Sequence, residues 1–206
     1  MSVTVIIIII TAIISIIAFD NTRLRNQYIL NPYIIHKNNE WWRMLSSGFL
    51  HADYAHLFFN MFSLYLFGQG LERYFLMRLG DKGTFYYILL YLLGIIVANI
   101  SDTFSKKNYS GYNALGASGG VSSVVFGYIM FNPTAKMGVF PIPPIIPAWI
   151  FGLLYLAYSR FMSEKQYDNI GHTAHFWGAI WGVIFVVLAY PPVMQEFIDK
   201  IISSFH

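Results

Sequence analysis

Cysteine is absent from all 206 residues, which excludes disulfides, thiol catalysis and thiolate-held metals. Charge is nearly as scarce. Asp, Glu, Lys and Arg make up 11% of the chain, against roughly 25% in soluble domains, too few to cover a water-facing surface. The positive excess, 13 Lys and Arg against 10 Asp and Glu, is scattered, with no basic stripe suited to nucleic acid. No H-E-x-x-H occurs, and no carboxylate lies within the apolar runs. What fills the chain instead is hydrophobic residues, 56% of the total, with 18% aromatic. The composition is that of a membrane protein.

Six apolar runs follow one another: Val3 to Phe19, Ala55 to Leu71, Phe85 to Ile100, Ser118 to Phe131, Ile142 to Phe161, and Ile170 to Tyr190. The first is rich in Ile, which in water would favour a strand, but in lipid the backbone must close its own hydrogen bonds and a helix results. No basic flank precedes it and no small-residue cleavage site follows, so it reads as a retained helix. Several runs fall short of the roughly 20 residues of a full span, as expected of helices shielded by neighbours or ending in a polar cavity. The expected fold is all-α, one domain over 1–206 with six transmembrane helices. The longest connection, Asp20 to Tyr54, contains Trp41-Trp42-Arg43, a pairing suited to the headgroup layer, and is expected to lie partly in the interface. Pro147 is placed for the first turn of the fifth helix.

Polar side chains inside such runs carry function by default, because an unpaired one costs several kcal/mol in hydrocarbon. Three clusters stand out. The second helix opens HADYAHLFFN, with His51, His56 and Asn60; the fourth opens GASGG, with Ser118; the sixth opens GHTAHFWGAIWG, with His172 and His175. His56 and Asn60, four apart, share a helix face and form a donor pair. Gly119, Ser123 and Gly127 make one stripe of small residues, and His175, Gly178 and Gly182 share a second face. Were these stripes to pack together, Ser118 and His175 would meet at one depth near one end of the helix pair. A serine hydroxyl needs a base to become nucleophilic, and a neutral imidazole suits that task. Acyl transfer then needs donors for an oxyanion. The Ser118 amide at a helix start, His56 and Asn60 are the candidates. With Asp102 and Asp168 expected in solvated loops, the expected site is a Ser-His dyad.

At these residues the chain resembles the rhomboid intramembrane serine proteases. The resemblance runs from Trp42-Arg43 to Gly182, through HADYAHLFFNMFSLYLFGQGLE, GASGG and AHFWGAIWG. It implies a six-helix bundle in the cell membrane, with the amino terminus cytoplasmic and a site opening to the outside. It implies Ser118 as nucleophile, His175 as general base, and His56, Asn60 and the Ser118 amide as the oxyanion hole. It also implies an interfacial hairpin at Trp42-Arg43, close helix packing at Gly119, Gly178 and Gly182, and an acidic residue, Glu72, at the inner end of the second helix. The implied substrates are membrane proteins whose transmembrane segments unwind easily, and no cofactor, metal or nucleic acid is called for. One position departs from the pattern. Four residues after the serine the family usually has an aromatic side chain, which stacks on the imidazole; here it is Ser122, and Phe126 or Trp177 are the alternatives for ring support.

Loop charges run against the implied orientation. With the amino terminus inside, Arg23, Arg25, Lys37, Arg43, Lys106, Lys107, Arg160 and Lys165 fall outside, and Arg73, Arg78, Lys82, Lys136 and Lys200 inside. The motifs are more specific than this tally, and the orientation is taken from them. Rival readings are a non-cleaving relative that binds membrane clients, a metal site of His51, His56, His172 and His175, and a small transporter. The four motif residues oppose the first, the spacing of five between His51 and His56 the second, and the lack of an inverted repeat the third.

Overall fold

A computed structural model describes residues 2–138, 143–165 and 171–205. The chain is built from helices, with one short antiparallel ladder between β1 (Lys136–Met137) and β2 (Ile146–Pro147). Helix α1 covers Val3–Phe19, and Ser2 caps it by accepting from the Val5 amide at 3.3 Å. Its buried face is Thr4, Ile7, Thr11, Ser15 and Ala18, while Ile9, Ile10, Ile13, Ile16 and Ile17 point outward. A helix of a soluble protein has the opposite arrangement. Here the small and hydroxylated residues face the protein and the isoleucines are left for hydrocarbon.

The first connection is not a plain loop. It forms α2 (Thr22–Tyr28), α3 (Pro32–Asn38) and α4 (Arg43–Ser46), each of the first two started by an Asn side chain accepting from an amide three residues on. The expectation that Arg43 faces the headgroups is corrected. Arg43 is buried, and its guanidinium donates to the carbonyls of Asn26 (2.8 Å) and Ile29 (3.0 Å) and to Glu40 (2.6 Å). Those carbonyls are left over where α2 ends, so the cation closes the loop from within. Trp41 and Trp42 remain exposed.

Helix α5 (Tyr54–Leu79) and α6 (Gly83–Ser105) are joined by a tight turn at Gly80–Lys82. Glu72, buried on α5, accepts from the amides of Val3 (2.8 Å) and Thr4 (3.0 Å) and from the Thr4 hydroxyl (2.7 Å). A carboxylate thus meets the positive end of α1, tying that helix to α5. Helix α7 (Ser118–Phe131) is the innermost, packed on α5, α6 and the later helix His172–Ala189. Helices α8 (Ala148–Lys165) and α9 (His172–Ala189) follow, and α10 (Val193–Ser203) ends the described chain.

Pro147 stands in β2, one residue ahead of α8, rather than in its first turn. Asp102 lies in the last two turns of α6 and accepts the Tyr112 hydroxyl at 2.6 Å, so it is not the loop carboxylate expected; Asp168 falls outside the described residues. Helix α10 was not anticipated, because its apolar residues Met194, Ile198 and Ile202 recur every four positions among polar ones and make no continuous run. Among the described residues, two stretches are long and apolar enough to cross a bilayer, 54–105 and His172–Ala189, whereas Val3–Phe19 and Ser118–Phe131 are apolar but shorter.

Candidate active site

The two small-residue stripes lie against one another. A Cβ added to Gly178 would collide with the backbone carbonyl of Gly119, and one added to Gly182 with the carbonyl of Ser123. One turn further, Gly127 lies against Val186 and also against Leu71 of α5. Residue numbers rise together along both helices, so α7 and α9 run parallel and begin at the same end of the bundle. At that end the Ala174 carbonyl is 3.8 Å from a Cβ built on Gly119. Ser118, the first residue of α7, and His175, in the first turn of α9, are therefore brought to one level and are both half-buried. The side of Gly119 itself faces a third helix, where its Cβ would strike Ala98 of α6 and stand 3.1 Å from the Gly94 carbonyl. That part of the packing had no counterpart in the two-stripe expectation.

The loop leading into Ser118 is fixed by the first connection. Leu30 and Ala114 exchange two 3.0 Å backbone bonds, Asn31 donates to Ser110 and Asn113, and the Gly116 amide donates to the Ser47 carbonyl at 3.0 Å. Gly116 has φ +131°, and a Cβ there would stand 2.8 Å from Cε1 of His56. Only glycine fits both the backbone and the ring beside it. His56 thereby lies against Gly116, two residues ahead of Ser118 in sequence, in the turn that presents it. Asn60 is buried one turn along α5, its side-chain amide donating to the His56 carbonyl at 3.1 Å. No side chain caps α7, so the leading amides of that helix meet no side-chain acceptor.

His51 does more than stand at a helix entrance. It is 1% exposed, and its Nδ1 lies 2.8 Å from the Ser15 hydroxyl, which donates to the Phe49 carbonyl at 2.8 Å. Because that hydroxyl proton is committed, Nδ1 carries the proton shared with Ser15, and Nε2 accepts from the Ala117 amide at 3.4 Å. The ring meets that of His56 edge-on with centroids 5.0 Å apart. Thus α1, the start of α5 and the residue before Ser118 are joined through one neutral imidazole. The helical spacing rule missed this because His51 lies ahead of α5, outside any helix.

Burial holds the His51 imidazole well below its usual range, to about 3, with His56 adding to the effect and Asp53 opposing it. The unfolded chain takes up this proton near 6.5, and the folded one resists it to about 3. Between those values the unfolded state binds more protons, so stability falls as pH drops, by up to about 1.4 kcal/mol per unit, and is unaffected above the window. His51→Gln is expected to flatten this acid dependence in SDS-unfolding titrations between pH 6.5 and 4.5; an unchanged slope would contradict it.

On α9, His175 has its ring plane 19° from that of Tyr155 on α8, with centroids 6.3 Å apart. His172, buried, meets His175 edge-on at 6.0 Å and Tyr158 at 5.6 Å. Neither alternative weighed for ring support takes the Tyr155 position: Phe126 packs on Tyr155 and Trp177 on Phe176. A cavity of 380 Å³, lined by Ser101, Arg160, Ser163, Thr173, Phe176 and Trp177, lies beside the first turns of α9. Among the described residues, no three His, Asp or Glu side chains gather as metal ligands would. The assembled groups are a hydroxyl at a helix start, an imidazole at the same level, and imidazole, amide and backbone donors around the turn that leads into the serine.

Residues 38–192 match the family model of the rhomboid domain. The chain is 28% identical over 178 residues to the Rhomboid-like protein 11, chloroplastic, of Arabidopsis thaliana, covering 78% of this chain and 56% of that protein. It is 27% identical over 154 residues to the Rhomboid protease GlpG of Haemophilus influenzae, covering 74% and 72% respectively. With the Putative rhomboid protease YdcA of Bacillus subtilis it shares 35% over 94 residues, covering 46% of this chain and 42% of that one. Against the first and last of these the chain spans about half the relative's length.

Proposed function

We propose that this chain, which belongs to the rhomboid family, is a serine endopeptidase that cuts membrane proteins in or beside their transmembrane segments. One observation carries the reading. Gly178 and Gly182 of α9 abut Gly119 and Ser123 of α7 in parallel register, at the end of the bundle where Ser118 and His175 begin their helices. Six helices, α1 and α5 to α9, cross the bilayer within a single domain over 1–206, with Trp41 and Trp42 resting in the interface. The amino terminus is cytoplasmic and the site opens to the other side.

The chemistry follows from those groups. Ser118 Oγ attacks the scissile carbonyl carbon as its proton passes to His175. The oxygen takes up the negative charge and is met by the Ser118 amide, His56 and Asn60. Collapse of the intermediate breaks the C–N bond, and His175 delivers its proton to the leaving amine. Water then attacks the acyl ester with His175 again as base, releasing the acid and restoring the serine. Because a substrate helix hides its carbonyls in hydrogen bonds, preferred substrates have Gly, Pro or other helix-weakening residues near the cut.

The test is labelling of the purified full chain by a fluorophosphonate, with cleavage of a model transmembrane substrate in parallel. A single adduct mapped to Ser118 and cleavage insensitive to chelators are expected. Absence of both labelling and cleavage, or an adduct at another serine, would overturn the reading.

A further inference from the structure

We propose that Tyr155 is a positioning residue for His175, held in place by Ser122, so that one side chain of α8 couples the two helices bearing the dyad. The inference rests on the reading of Ser118 and His175 given above. Tyr155 presents its ring to the His175 imidazole nearly parallel, 19° and 6.3 Å between centroids, an offset-stacked arrangement. Its hydroxyl lies 3.2 Å from Ser122 Oγ. Ser122 is buried and stands four residues after Ser118, on the same face of α7. The ring also packs against Phe126 at 5.6 Å and Phe151 at 6.1 Å.

Each contact limits a different freedom. An imidazole accepting a proton from Ser118 must keep its ring plane through attack and release, and a flat neighbour hinders rotation about the Cβ–Cγ bond. The ring of Tyr155 itself is fixed by its packing partners, but its depth along the bundle is set by the bond to α7. That bond refers the base to the helix that carries the nucleophile. Position 122 is where the family resemblance places an aromatic side chain. Here a small hydroxyl occupies it, leaving room for the ring of Tyr155 and supplying the ring's anchor. His172 meets the same imidazole in a T-shaped contact, with centroids 6.0 Å apart.

The experiment compares Tyr155→Leu, Tyr155→Phe and Ser122→Ala in the full chain in lipid bicelles. Loss of the ring in Tyr155→Leu is expected to lower kcat about tenfold, with KM changed less than about twofold. Tyr155→Phe keeps the ring and loses only the tether, for a drop of about two- to threefold. Ser122→Ala should match it, and the Ser122→Ala/Tyr155→Phe double variant should be no slower than either single, since all three remove one bond. The His175 Cε1–H resonance, displaced by the adjacent ring, should move in Tyr155→Leu and stay in Tyr155→Phe.

A wild-type kcat in Tyr155→Leu, additive losses in the double variant, or an unmoved His175 resonance would each overturn the proposal. Should Tyr155→Leu fail to fold, the other variants decide through their non-additivity. The resonance does not depend on turnover. If the wild type neither labels nor cleaves, the protease reading falls, while the placement of His175 by Tyr155 is still decided.

Discussion

Ser118→Ala and His175→Ala should each lower cleavage of a transmembrane substrate by at least about 10³-fold while leaving the helix bundle folded. The size of the effect follows from how the two groups work. A serine hydroxyl near neutral pH is almost wholly protonated, and without a base its attack on an amide is negligible. Without the hydroxyl, the imidazole is left with only a water to activate. The double variant should therefore be no worse than the worse single one, as for any pair that acts as a unit. Stability should barely change, because Ser118 stands at an uncapped helix start and removing its Oγ opens no core cavity. Residual binding is retained in Ser118→Ala, so substrate should still co-purify with it. The measurement is kcat/KM on one model substrate, with thermal unfolding alongside. Full activity in Ser118→Ala would remove the nucleophile assignment; equal loss of activity and fold would reduce Ser118 to a packing residue.

What the residues disclose in advance differs from element to element, for physical reasons. The bounds of α1 and α7 are legible because each is a closed apolar segment set between polar residues or glycine, and because lipid leaves the backbone no choice but a helix. The stripe of Gly178 and Gly182 is legible because helical spacing alone puts those positions on one face. Arg43 was misread, since the sequence beside it shows two tryptophans but not the carbonyls of Asn26 and Ile29, which become available only once α2 has ended. His51 and His56 were set apart by a spacing rule that holds within a helix, and only His56 is in one. Tyr155 carries no local signal at all: it stands twenty positions before His175, on a different helix. The link between them exists only in the packed bundle. The long first connection falls between these cases, its Asn21 and Asn31 caps being visible in the sequence as turn-formers without revealing that their helices would clasp the serine loop.

Gly178→Ala is expected to cost cleavage about 10²-fold or more, the penalty of misplacing reacting groups by an ångström or so. The added methyl would be driven into the carbonyl of Gly119, which belongs to a helix backbone and cannot turn aside like a side chain. Helices α7 and α9 would have to part, and the parting is largest next to Ser118 and His175. Overpacking of this kind also costs about 1–3 kcal/mol of stability. Gly182→Ala makes the same collision with Ser123 one turn deeper, so it should destabilise as much while harming catalysis less. Gly152→Ala serves as the contrast, because its methyl would find Phe126 at 3.4 Å, an ordinary contact, and should leave activity within about twofold of wild type. The order Gly178, then Gly182, then Gly152 in lost activity, against near-equal stability losses for the first two, separates placement of the dyad from mere bundle strength. Equal activity losses at 178 and 182 would mean that the glycines serve only to hold the helices together, and that the meeting of Ser118 with His175 depends on something other than this seam.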